Sequence, residues 1–169
     1  MLKKYWGEKK LKKNFRTVVI LIVTMILGIY IITQKMKKLL SVLAIEHKRK
    51  EALLNMFREW LTIKVEKKEI HDYLQNNGYK VIAIYGMNYV GEILWKDLKC
   101  SDINVKYGID KNAEYIRTGI NVLNPDDELP EVDLVIVTAI TYFDEIKNKL
   151  SEKMLCPIVS LENILSEIL

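Results

Sequence analysis

Residues 82–94 read IAIYGMNYVGEIL, and this stretch decides the fold. Four residues that fit a buried strand lead into a glycine turn, and a helix-like pattern follows. A strand, a tight turn and a helix in this order form the element with which many α/β folds hold a dinucleotide diphosphate. That element normally carries three glycines, and here Asn88 stands in place of the middle one.

The two remaining glycines keep their usual tasks in this pattern. Gly86 permits the tight turn that leaves the strand, and Gly91 lets the helix pack closely on the sheet. Asn tolerates a left-handed backbone, so Asn88 keeps the turn while its amide adds bulk. We expect Asn88 to weaken a close dinucleotide fit but to bind one phosphate or sugar hydroxyl, with helix-start amides facing the anion. The ligand-facing residues predicted in this turn are Gly86, Met87, Asn88, Tyr89, Val90 and Gly91.

Strand-like and helix-like segments alternate through the C-terminal half. We predict strands at 80–85, 104–110, 121–123, 132–139 and 157–161, helices at 89–99, 142–153 and 162–169, and a brief helical turn at 126–129. Right-handed crossovers between parallel strands then give an α/β fold with strand order 3-2-1-4-5, a single Rossmann-like half. Such sheets bind ligands in the crevice outside the carboxyl ends of strands 1 and 4.

Asp110 closes the second predicted strand, 19 residues after Gly91. An acidic residue at this spacing typically accepts hydrogen bonds from ribose hydroxyls. The alternative is an Asx-turn, in which the Asp110 side chain bonds the backbone of the following Lys111 and Asn112. The sequence leaves both interpretations open.

Residues 17–33, TVVILIVTMILGIYIIT, carry no charge. The run is slightly short for a membrane span, but Arg16 and Lys35 can snorkel at its ends. A buried core helix is the alternative, although it needs an apolar partner surface on every side. A cleaved signal peptide is disfavoured because QKMKK, without a small-residue cleavage site, follows the run. We predict a transmembrane helix at 17–34 between a basic N-terminal tail, 1–16, and a helical connector, 35–78.

Charge is distributed unevenly around this helix. Residues 1–16 carry seven Lys/Arg against one Glu, whereas residues 81–169 carry eight Lys/Arg against fifteen Asp/Glu. The acidic half is a poor binder of nucleic acid, and the basic residues flank an apolar run instead of alternating with exposed aromatic residues, so we expect no nucleic acid as a partner. Seven Lys/Arg precede the span and six follow it in residues 34–53, so the positive-inside rule leans slightly to an inside N-terminus and a C-terminal domain outside. An in-plane or re-entrant segment would instead leave both flanks on the cytoplasmic side. We expect the domain at 79–169 on the cytoplasmic side, where nucleotides are available.

The connector carries one apolar stripe at helical spacing. It comprises Leu53, Leu54, Phe57, Trp60 and Leu61. Such a stripe either covers a face of the following domain or pairs with a partner helix. A short second helix at 66–77 is expected to end at Gly78, in the usual left-handed cap. We therefore keep both internal packing and a helix-mediated oligomer or partner enzyme as interpretations.

Four segments together resemble small Rossmann-like domains of bacterial surface-polysaccharide biosynthesis proteins. They are YGMNYVGEIL, VKYGIDKN, INVLNPDDEL and VDLVIVTAITYFDEIKNKL, and the resemblance covers about residues 79–165. Similar domains lie at the C-terminus of sugar C-methyltransferases and at the N-terminus of sugar acyltransferases. The resemblance implies binding of NAD(P) or a nucleotide sugar. The positions matching its ligand-facing residues are Gly86, Gly91, Asp110, Thr138 and Ala139, and neighbouring Lys111 joins the candidate site.

The sequence shows no arrangement of catalytic side chains. Tyr107 and Lys111 have the spacing of a dehydrogenase pair, but they fall on a strand and its exit. Asp144 and Glu145 fit charges at a helix start better than an acid/base pair, and Tyr142 fits either a sugar pocket or a loop. Cys100 and Cys156 lack the spacing of a zinc site or disulfide scaffold. We therefore expect a membrane-anchored binding module, with a sugar-nucleotide epimerase or dehydratase and a ligand-free scaffold as alternatives.

Overall fold

The structure is a computed structural model that describes the backbone of residues 2–169 and the side chains of residues 17–169. The side chains of the predicted basic tail therefore lie outside the described residues. The chain forms two units, Met1–Lys50 and Glu51–Leu169. The helices are α1 (Leu2–Val65), α2 (Ile70–Asn76), α3 (Tyr89–Leu98), α4 (Phe143–Ser151) and α5 (Leu161–Ile168). The strands are β1 (Val81–Tyr85), β2 (Asn104–Ile109), β3 (Val122–Leu123), β4 (Leu134–Val137) and β5 (Ile158–Ser160), and single 3-10 turns lie at Ala113–Tyr115 and Ile140–Tyr142.

The five strands form one parallel sheet in the order β3-β2-β1-β4-β5. This confirms the α/β fold class and the predicted strand order. The central strand β1 pairs with β2 on one side and β4 on the other, so that Tyr85 lies opposite Ile109 and Val137. The carboxyl ends of these three strands therefore lie together at one edge of the sheet.

Each face of the sheet carries apolar side chains that pack into a separate core. Successive residues of β1 alternate between them, with Ile82 and Ile84 in the first core and Ala83 and Tyr85 in the second. The first core is completed by α2, α3, α5 and the end of α1, and the second by α4. Every residue of β4 is buried, as expected for a central parallel strand covered on both faces.

Within the described residues, α1 is the one helix that is long and apolar enough to cross a membrane, by length and composition only. Its apolar window has a mean hydropathy of 2.3, and none of that window is buried within the described structure. The core-helix alternative would instead require this window to be buried against an apolar surface on every side. The helix also continues without a break through the boundary predicted at 34–35, since residues 34–50 contain neither Gly nor Pro.

The connector stripe divides into a buried part and an exposed part. Trp60 is buried in the first core and Leu53 and Phe57 pack against it, whereas Leu54 and Leu61 are 69% and 67% exposed. The buried face is completed by Met56 and Ile63, which the predicted stripe omits. Successive residues of an α-helix are rotated by 100°. With Trp60 at the centre of the buried face, Leu54 and Leu61 therefore point away from the sheet.

Two local predictions are wrong in their helix boundaries. Residues 66–69 do not join α2, because α1 ends in a Schellman motif: the Lys68 N–H donates to the Ile63 carbonyl, and Lys67 adopts φ 57°. Residues 126–129 do not form a helix; the turn lies at Pro125 and Asp126, where the Asn124 side chain accepts from the Asp126 N–H at 3.0 Å. The predicted left-handed cap at Gly78 is present, with φ 81°.

We expect Ile63→Ala to destabilise the second unit by about 2–5 kcal/mol, because it removes fully buried methyl groups from the first core. The matched control is Leu61→Ala, an exposed position two residues away on the other side of the helix, for which a change within about 0.5 kcal/mol is expected. Urea unfolding of the full chain in detergent micelles, followed by tryptophan fluorescence, measures both. Equal transition midpoints for the two variants would contradict the packing of α1 on the sheet.

Candidate functional site

The turn after β1 depends on both of its glycines. Gly86 adopts φ 91°, a left-handed conformation that disfavours any side chain, and its N–H donates to the Ile109 carbonyl at 2.8 Å. A Cβ at Gly91 would collide with the Gly86 carbonyl oxygen and lie 3.4 Å from the Ile84 side chain. The start of α3 therefore packs directly under the turn, as the sequence predicts.

Thr138, the first residue after β4, fixes the turn from the other side. Its buried hydroxyl donates to the Gly86 carbonyl oxygen at 2.6 Å and lies 3.1 Å from the Tyr85 carbonyl oxygen. Its N–H also donates to the Tyr85 carbonyl, at 2.9 Å. A Cβ at Gly86 would lie 2.7 Å from the Thr138 hydroxyl oxygen. Thr138 therefore joins β1 to β4 and contributes structure to the site.

Two amides that an anion would approach are already bonded to side chains of the chain itself. The Met87 N–H donates to Asp110 Oδ2 at 2.9 Å, and the Val90 N–H donates to Asn88 Oδ1 at 3.0 Å. Asn88 is the N-cap of α3 in an extended conformation, φ −73°, so the turn makes no use of the left-handed backbone that Asn tolerates. The left-handed position is Gly86, and the Asn88 side chain acts as an ordinary helix cap.

Asp110 forms the Asx-turn, one of the two interpretations that the sequence left open, and its side chain also bonds the Met87 N–H. Its Oδ1 accepts from the Asn112 N–H at 2.9 Å while Oδ2 accepts from Met87. The carboxylate therefore connects the end of β2 to the turn after β1. It also places a negative charge beside the helix start, where a phosphate within about 4 Å would meet a repulsion of about 1–4 kcal/mol for each pair of unit charges.

A cleft of about 430 Å³ opens at the carboxyl edge of the sheet. Known small-molecule sites occupy about 300–1,000 Å³, so the cleft has the size of a compact ligand or of one part of a larger one. It lies between β1 and β4, the point at which the strand order reverses, which is the usual ligand position in open α/β sheets. The cleft is lined by Tyr85, Gly86, Asn88, Asp110, Lys111, Asn112, Ala139, Tyr142, Glu145 and Ile146.

The structure brings only part of the predicted site to this cleft. The predicted residues that line it are Gly86, Asn88, Asp110, Lys111 and Ala139. The predicted residues that do not line it are Met87, Tyr89, Val90, Gly91 and Thr138.

The residues outside the cleft shape it through packing. Met87 is buried over β2, and a Cβ at Gly108 would lie 2.9 Å from the Met87 sulfur. Val90 is buried in the first core. The Tyr89 ring stacks on Phe57 of α1 with centroids 6.5 Å apart and planes at 17°. Within the second unit, the first residue of α3 therefore contacts α1 instead of the cleft.

The predicted site omits five lining residues, Tyr85, Asn112, Tyr142, Glu145 and Ile146. The position of Tyr85 could have been predicted, because it is the last residue of β1 and the alternation of side chains along the strand places it on the face covered by α4. Burial raises the pKa of the Tyr85 phenol, against an opposing effect of the positive charge on Lys149. The phenol is therefore neutral at pH 7 and available as a hydrogen-bond donor. Tyr142, assigned earlier to either a pocket or a loop, lines the cleft.

Charge at the rim of the cleft is mixed. Lys111 Nζ lies 4.0 Å from Glu145 Oε1, and both side chains are mostly exposed, so the pair contributes little to stability. Among the residues whose side chains the structure describes, no group of three or more His, Cys, Asp or Glu is placed to hold a metal ion. No known protein family, curated protein or solved structure matches the chain.

We expect Thr138→Val to lower the free energy of unfolding by about 1–3 kcal/mol, because the Gly86 carbonyl oxygen loses its donor in a buried place. Thr138→Ser keeps the hydroxyl and is expected to retain most of the stability. Urea unfolding of both variants in detergent micelles gives the comparison. If Val is tolerated as well as Ser, the hydroxyl does not hold the turn.

Proposed function

We propose that the chain is a membrane-anchored module whose C-terminal unit binds a nucleotide or nucleotide sugar. The observation that carries the proposal is the cleft at the carboxyl ends of β1 and β4, which the Gly86 turn, Asp110 and Ala139 line together. Open parallel sheets bind their ligands at this position. NAD(P) and sugar nucleotides are the ligand classes that the resemblance suggests.

The chemistry of the cleft fits a ligand with one flat or apolar part and several hydroxyl groups. Tyr85, Tyr142 and Ile146 give aromatic and aliphatic walls, and Asn88 and Asp110 give amide and carboxylate groups. Pockets that recognise small molecules combine such apolar walls with a few polar groups that fix orientation. These features support binding, and we propose no reaction.

The membrane part of the proposal rests on α1. Its apolar window has the length and composition of a membrane span. We propose that the second unit lies in the cytoplasm, where nucleotides and sugar nucleotides are available. The resemblance to surface-polysaccharide proteins suggests a place beside a polysaccharide-biosynthesis enzyme.

The cleft is tested by filling it. We expect Ala139→Leu to weaken binding at least about tenfold, because the larger side chain occupies the space lined by Gly86 and Tyr142. Asn148→Leu on α4 is the matched control, since it adds the same side chain at an exposed position outside the cleft. Calorimetric titration of the full chain in nanodiscs with NAD, UDP and UDP-glucose measures the change. No binding of any of them by the parent chain at 10 mM, or equal loss in both variants, would contradict the proposed site.

The orientation is tested with the exposed thiol of Cys100. A membrane-impermeant maleimide is expected to leave Cys100 unlabelled in intact cells and to label it once the membrane is permeabilised. Cys156→Ser removes the second thiol, and the double variant Cys100→Ser, Cys156→Ser gives the background. Full labelling in intact cells would place the second unit outside the cytoplasm and contradict that part of the proposal.

A further inference from the structure

We propose that the cleft recognises the hydroxyl-bearing part of its ligand, a ribose or a hexose, and holds it without phosphate on the start of α3. This inference rests on the proposed function, because it concerns the ligand of the same cleft. It predicts that a nucleoside or a simple sugar binds nearly as well as the corresponding diphosphate. Three sets of contacts carry it.

The first set is the two occupied amides. In the turn, Asp110 accepts from the Met87 N–H at 2.9 Å and Asn88 accepts from the Val90 N–H at 3.0 Å. A phosphate would have to displace both side chains to reach these donors. At these two amides the chain therefore supplies its own oxygen atoms, where related turns take those of a diphosphate.

The second set comprises the charged side chains that line the cleft. Asp110 and Glu145 are both lining residues, and Asp110 is the acid bonded to the turn. A diphosphate at the helix start would face the Asp110 carboxylate directly, whereas a hydroxyl group would be a donor to it. The cation among the lining residues, Lys111, is 65% exposed and lies near Glu145, so it is placed at the rim.

The third set is the remaining hydrogen-bonding capacity. An ionised carboxylate offers about four acceptor positions, and the bonds to Met87 and Asn112 use two of those on Asp110. Two neighbouring hydroxyl groups of a sugar match the two that remain. Tyr85, with a neutral phenol, provides an aromatic wall beside them and is buried except toward the cleft.

The test is a paired titration of the full chain in nanodiscs. The pairs are uridine with UDP, adenosine with ADP, and methyl glucoside with UDP-glucose. We expect at least one unphosphorylated member to bind within about threefold of its diphosphate partner. Binding of uridine or adenosine identifies ribose as the recognised group, and binding of methyl glucoside identifies the hexose.

Two variants separate the phosphate effect from general charge. Asp110→Asn removes the negative charge beside Met87, and Asn88→Gly frees the Val90 N–H. Each is expected to improve binding of the diphosphate relative to its unphosphorylated partner by about tenfold. Asp144→Asn is the matched control, because it removes the same charge from the exposed start of α4 without touching the turn. That control should leave the ratio unchanged.

Three outcomes overturn the inference. If a diphosphate binds more than about tenfold tighter than its unphosphorylated partner, phosphate is recognised and the inference fails while the proposed function stands. If Asp144→Asn shifts the ratio as much as Asp110→Asn, the preference is a general charge effect. If no member of any pair binds at 10 mM, the proposed function fails, and the inference fails with it.

Discussion

The hydrogen bond from the Met87 N–H to the Asp110 carboxylate is the interaction on which the candidate site depends. It joins the turn after β1 to the end of β2 and fixes where the chain enters α3. Thr138 makes the corresponding connection to β4. The carboxyl ends of three central strands are thus held together by bonds from side chains to backbone, and the cleft is the space left above them.

This arrangement differs from a turn built for a diphosphate in one physical respect. A glycine at the middle position would leave the helix-start amides open to an anion. Here Asn88 accepts from the Val90 N–H and Asp110 accepts from the Met87 N–H, so two of these amides are bonded within the chain. The fold keeps the strand–turn–helix element, while the donors that usually bind phosphate serve the stability of the chain.

The end of α1 is tied to α3 within the second unit. Phe57 stacks on Tyr89 at the start of α3, and Lys64 bonds Asp97 in its last turn at 2.7 Å. Burial alone would lower the pKa of Lys64, but hydrogen bonds to Asp97 and Glu69 outweigh it and raise the pKa, so Lys64 stays charged. A fragment beginning after Val65 would lack these contacts as well as the buried side chains of Met56, Trp60 and Ile63.

The strands and their order follow from the sequence because short apolar runs separated by helices leave few topologies open. The two glycines of the turn are likewise predictable, since no other residue fits their contacts. The hydrogen-bond partners of Asp110 are not predictable, because its spacing suits both an Asx-turn and a ribose contact. The division of the connector stripe also depends on tertiary structure: Leu54 and Leu61 have the right spacing, but the sheet selects the neighbouring face with Met56 and Ile63.

Hydrogen exchange at the Met87 amide, resolved by NMR for the full chain in detergent micelles, tests the central claim most directly. We expect this amide to be protected in the unliganded chain. Asp110→Ala should abolish that protection while the amide of Ile84 in β1 remains protected. A Met87 amide that exchanges at the rate of an unprotected backbone in the parent chain would contradict the account, because the turn would then hold an open donor for an anion.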